Sequence, residues 1–141
     1  MPQLKNSKLL VYPVDKVFAV AMDLERYPEI LPYVKAVKIT SRNKARIATD
    51  LTLGFSFASF VHRCVIDYRK NKSLYVQASS SVFETFHSRC SFEAAGSCKT
   101  RIVYELDAKF KNPILEGLAT ALLPLHAEMT LAAFRRYLER L

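Results

Sequence analysis

At 141 residues, half of them hydrophobic and 24% charged, the chain has the size of one domain (1–141) with one core, and its composition excludes a disordered or fibrous protein. A formal charge of +8 favours an anionic partner, a membrane surface or a nucleic acid, without choosing between them. The most apolar stretch, Ile114 to Leu125, is too short to span a bilayer and contains Gly117, Thr120 and Pro124, while the start of the chain turns polar at once and lacks a signal core.

Gln3 to Val11 reads as a first strand, ending at Tyr12-Pro13. Pro13 suits the first turn of a helix, and Val14, Val17, Phe18, Ala21 and Leu24 recur at helical spacing to about Glu25. In the next segment, Pro28 and Pro32 exclude a long helix but allow one short turn presenting Ile30, Leu31 and Tyr33.

From Val34 the period switches to two. Val37 and Ile39 lead to a basic turn at 41–44, after which Ile47, Thr49, Leu51 and Leu53 alternate with polar residues until Gly54. Phe57 to Tyr68, Ser73 to Ser79, Val82 to Ala95 and Cys98 to Phe110 read as further strands, about seven in all. Links this short predict an antiparallel meander, since parallel pairs need long crossovers.

The chain closes on one long helix, Pro113 to Leu141, whose first half is apolar on nearly every side. A surface helix would carry a charged face there, so the preceding sheet must wrap it. A sheet curled round one helix leaves room for a cavity that would take an apolar ligand. Pro124 is expected to kink or split this helix.

The two ends of such a meander differ. Alternate hairpin tips cluster, gathering Arg42, Lys44, Arg46, Arg69, Lys70, Lys72, Lys99 and Arg101 at one basic end. The opposite end collects the 53–57 and 79–83 links with Phe110, Ile114 and Leu118, and reads as the mouth of a pocket.

The order of these elements, with Glu25-Arg26-Tyr27-Pro28-Glu29-Ile30-Leu31-Pro32, Leu53-Gly54-Phe55, Phe83-x-x-Phe86-x-x-Arg89 and Phe110-Lys111-Asn112-Pro113-Ile114-Leu115, resembles the coenzyme Q-binding branch of the START-like superfamily, also labelled polyketide cyclase/dehydrase and lipid transport. It is similar above all to the short bacterial members, which include the ribosome-association toxin. Cys90 stands where that family usually has tryptophan, and Phe86 where leucine is common. The resemblance implies an α+β helix-grip (START/Bet v 1-like) fold, with a curved sheet around the C-terminal helix. It also implies binding of an isoprenoid quinone such as ubiquinone, in support of respiration.

Catalysis finds little support in the residues. His62, His87 and His126 have no sequence neighbours suggesting a triad or metal site, and each is expected to be a satisfied structural histidine. Three glycines cannot build a phosphate loop, and Cys64, Cys90 and Cys98 lack metal-ligand spacing and read as free thiols in a reducing cytoplasm. Asp50, Glu105 and Asp107 lie opposite the apolar faces and should be solvated.

The expected pocket lining is Leu53, Phe55, Phe60, His62, Phe83, Phe86, Cys90, Tyr104, Phe110, Ile114, Leu118 and Leu122, with Tyr104 or His62 donating to a quinone carbonyl. The expected function is therefore a non-enzymatic quinone carrier or chaperone, with no metal or cofactor and no DNA partner. It would be cytoplasmic and peripheral on the inner membrane. The alternative is a toxin that binds the large ribosomal subunit through the basic end, and a polyketide cyclase or aromatase ranks third.

Overall fold

A computed structural model of the chain describes residues 3–55 and 58–141; the side chains of residues 55, 58, 115 and 118–123 lie outside that description. Seven strands are present: β1 (Gln3–Leu10), β2 (Val34–Asn43), β3 (Arg46–Phe55), β4 (Ala58–Arg69), β5 (Ser73–Ser79), β6 (Phe83–Ala94) and β7 (Thr100–Phe110). They form one antiparallel sheet in the order β1-β7-β6-β5-β4-β3-β2. β2 to β7 follow one another as the expected meander, and β1 pairs with β7, Leu4 opposite Leu106 and Leu10 opposite Thr100.

Period-two alternation fixes the register. Ile47, Thr49, Leu51 and Leu53 face Ile66, Cys64, His62 and Phe60 across β3 and β4, and directly opposed residues share a face. Phe86, Cys90 and Phe92 likewise face Ala108, Tyr104 and Ile102. Slipping the register by one residue would turn the whole set to water. Register shifts between Val34 and Ala36, Ile39 and Ser41, and Phe83 and Thr85 mark bulges, which bend a sheet. On the convex face one row runs Lys5, Glu105, Arg89, Tyr75, Asp67, Arg46 across six strands, an alternating-charge surface suited to water.

The helices are α1 (Val14–Met22), α2 (Tyr27–Ile30) and α3 (Pro113–Glu139), with a 3-10 turn over Leu24–Arg26. α1 stops short of the expected Glu25. Its start is fixed by the Pro13 carbonyl, which accepts from the Lys16 and Val17 N–H groups, and by Thr100, whose Oγ1 donates to the Tyr12 carbonyl at 2.8 Å. α1 packs on β6 and α3, whereas α3 lies on β1 and β7.

α3 runs unbroken through Pro124, so the expected split does not occur. The proline is exposed, and water can serve backbone groups there in place of the missing donor. The most deeply buried large residues are Leu10, Ile47, Leu138, Thr49 and Thr100. The three hairpin tips of one end carry the positive-φ residues Ala45 (71°), Asn71 (59°) and Gly96 (123°).

Candidate functional site

Two halves of the concave face are filled differently. Toward the positive-φ tips, Ile47, Ile66, Leu74, Phe92 and Ile102 are buried. Phe18 of α1 fills that half, its ring 5.4 Å from Phe92 and 6.5 Å from Tyr68. Beyond α1, the inward residues Leu51, Leu53, Val76, Ala78, Phe83, Phe86 and Cys90 keep part of their surface accessible. The helix pair, not the sheet, sets where the core ends.

At the far end an aromatic cluster surrounds His62. Its ring centroid lies 4.6 Å from Phe86, 5.4 Å from Phe83 and 6.3 Å from Phe60, and Phe83 lies 4.6 Å from Phe110. Phe86 on β6 reaches His62 on β4 because the intervening β5 residue opposite Phe86 is Ala78, too small to block it. His62 is 4% exposed, and burial pushes its imidazole down to about 4. Its Nδ1 is buried without a hydrogen-bond partner among the described residues. An orphaned polar atom of this kind carries a desolvation cost and asks for an explanation.

Deeper in, Tyr33 and Cys90 stand close enough to Tyr27 and Tyr104 to add to what burial does to those two phenols. Burial pushes the Tyr33 phenol and the Cys90 thiol each up to about 12, and raises Tyr27 and Tyr104 further. All four nevertheless keep some accessible surface.

Their hydroxyls are not equivalent. Tyr27 donates to the Ala21 carbonyl. Thr130 Oγ1 gives its one proton to the His126 carbonyl at 2.9 Å, so Tyr33 donates to Thr130 at 2.8 Å. Tyr104 Oη has no hydrogen-bond partner among the described residues.

Of the expected lining, Leu53, Phe60, His62, Phe83, Phe86, Cys90, Tyr104 and Phe110 lie on the concave side. Phe55, Leu118 and Leu122 fall on side chains outside the described residues. Ile114 does not join the concave-side residues: it is 75% exposed, because the first turn of α3 directs it to solvent while β7 takes the opposite face. His87 is satisfied as expected, Nδ1 lying 3.2 Å from the Tyr75 hydroxyl on the convex side. His126 packs against Tyr33 with ring centroids 4.9 Å apart and the rings tilted, and burial lowers its imidazole. His62 departs from the satisfied-histidine expectation. Asp107 departs from the solvated one, since its Oδ1 is buried without a partner among the described residues. Tyr27, Leu51, Val76 and Ala78 were missed, although the period-two pattern could have found the last three.

The opposite end carries Arg42, Lys44, Arg46, Arg69, Lys70, Lys72, Lys99 and Arg101, all exposed. Two of these charges are compensated. Arg42 pairs with Glu25 at 3.6 Å and Arg46 with Asp67 at 2.6 Å, so the local field is weaker than the sequence suggests. Lys44, Arg69, Lys70, Lys72, Lys99 and Arg101 form no ion pair among the described residues. None of the described helices is long and apolar enough to cross a membrane.

Comparison with known proteins adds a family and a fold. Residues 10–135 match the family model described as polyketide cyclase / dehydrase and lipid transport. The ribosome association toxin RatA of Rickettsia prowazekii is 25% identical over 140 residues, 96% of this chain and 95% of that protein. A START superfamily protein from Mycobacterium smegmatis superposes with a TM-score of 0.88 at 18% identity, covering 98% and 97% of the two chains. An aromatase/cyclase from Streptomyces sp. R1128 superposes at 0.87 with 14% identity, covering 98% and 93%. These structures establish the helix-grip fold.

Proposed function

The chain belongs to the polyketide cyclase / dehydrase and lipid transport family, and from that premise we propose that it binds an isoprenoid quinone, ubiquinone in the first instance, between the concave sheet and α3. It holds the quinone without changing it. One observation carries this reading: His62 Nδ1 and the Tyr104 hydroxyl face the concave side of an apolar enclosure with no partner among the described residues. Tyr33, Cys90 and Tyr104 are enclosed yet each keeps some accessible surface, which supports a space beside them.

A quinone ring offers only acceptors, its two carbonyl oxygens. A phenol donates to such an oxygen, and so does a neutral imidazole in the tautomer with the proton on Nδ1. The prenyl tail would supply most of the energy, about 0.8 kcal/mol per buried methylene before ordering costs. Burial keeps both polar groups neutral near pH 7. That suits hydrogen bonding to a carbonyl oxygen.

Organic extraction of the purified protein followed by mass spectrometry tests the proposal. A stoichiometric quinone supports it, and an extract free of isoprenoid lipid after expression in a quinone-producing host refutes it.

A second reading is favoured by the unpaired cations of the hairpin-tip end and by the likeness to ribosome association toxins. On this reading Lys70, Lys72 and Lys99 contact phosphates of the large ribosomal subunit, with the steep salt dependence that such contacts give. Comigration with large subunits at low salt, lost on the charge reversals Lys70→Glu and Lys72→Glu, would favour it. Those substitutions leave the quinone reading untouched.

A further inference from the structure

Among the described residues, three apolar side chains of α3 are exposed on one face of the helix. Ile114 is 75% exposed, Leu125 64% and Met129 41%. At 3.6 residues per turn they fall within about 60° of one another around the axis and along roughly 22 Å of it. Isolated exposed aliphatics need no explanation, but an aligned set on one helix does. Lys111 precedes the stripe, and Arg136 and Arg140 follow it; all three are exposed and without an ion pair among the described residues. Glu128 and Glu139 flank it with opposing charge, Glu139 being paired with Arg135 at 3.7 Å.

We propose that α3 lies flat on an anionic lipid bilayer through this stripe, which places the quinone hollow at the membrane surface for loading and release. An apolar band with cations at both ends matches an acyl layer bordered by anionic headgroups. A second copy of the chain fits worse. Parallel packing of two such helices sets Arg136 against Arg136, and antiparallel packing sets Arg136 near Lys111, so both oppose like charges.

The stripe begins four residues after Phe110, whose ring contacts Phe83 at 4.6 Å, so the docked face adjoins the aromatic end of the hollow. The basic hairpin tips lie at the other end of the sheet. They are therefore not the membrane contact. This proposal takes its purpose from the carrier reading above.

The test is flotation of the purified full chain with phosphatidylcholine vesicles, with and without phosphatidylglycerol. Wild type should float with the anionic vesicles. The double substitution Ile114→Asp and Leu125→Asp should reduce partition at least about tenfold, while the conservative Leu125→Met and the pair Lys70→Glu, Lys72→Glu should leave it unchanged. Both aspartates replace exposed residues, so thermal unfolding should be near that of wild type.

The proposal is overturned if the aspartate variant floats as wild type does, or if wild type fails to float. It is also overturned if light scattering shows a dimer that the aspartates dissociate while vesicle binding is absent. Quinone content is measured in the same preparations. Stripe-dependent flotation without any extracted quinone would sustain the docking surface and refute the carrier reading; quinone without flotation would do the reverse.

Discussion

Replacing His62 by leucine should make the protein more stable and a poorer binder at once. The buried Nδ1 without a partner among the described residues costs about 1–3 kcal/mol of desolvation. Leucine removes that cost and keeps the apolar contacts with Phe60, Phe83 and Phe86, losing the edge-to-face preference of the rings, about 0.5–1.5 kcal/mol. The net expectation is stabilisation by about 1 kcal/mol, or about 4 °C in Tm for a domain of this size.

Acid sharpens the test. Burial lowers the His62 pKa from 6.5 to about 4, so between these values the unfolded chain holds a proton that the folded protein refuses. The neutral imidazole's contribution is complete above about pH 6.5 and is lost as pH falls through about 4, a span on the order of 3 kcal/mol. His62→Leu should flatten that part of the stability profile, leaving a residual slope from His126, which burial shifts in the same direction. Urea unfolding at intervals from pH 7 to pH 4, followed by quinone extraction, reads all three effects. A variant that is less stable at neutral pH, with an unchanged acid slope, would show that His62 is a structural residue and that its nitrogen is no ligand donor.

Tyr104→Phe should fold as wild type does and lose about 1 kcal/mol of ligand affinity, roughly fivefold, read by quinone titration; unchanged affinity would mean the hydroxyl is unused. Ala45→Gly should raise the urea midpoint by the equivalent of about 1 kcal/mol, because Ala45 sits at φ 71°, where a Cβ is unfavourable. A lowered midpoint would contradict that strain. Leu138→Ala, at a position only 1% exposed, should cost about 2–5 kcal/mol in the same assay; a loss below 1 kcal/mol would mean the terminal turn of α3 is not part of the core.

Much of this protein was legible in the residues alone. Strict alternation in Ile47 to Leu53 and in Ile102 to Phe110 specifies both the strands and the faces they bury, because a strand's side chains can point only two ways. Short links dictate antiparallel hairpins, and the basic tips of one end against the apolar links of the other make two chemically different ends. The pairing of β1 with β7 and the packing of Phe18 into half of the concave face depend on contacts far apart in sequence, which no local periodicity encodes. For the same reason the helix rotation that sends Ile114 to solvent was invisible: an apolar helix with no polar face does not declare which side the sheet will take. His62 could be named a pocket residue from its strand position, but only tertiary structure shows its Nδ1 left without a partner, because hydrogen-bond satisfaction is decided by neighbours in space.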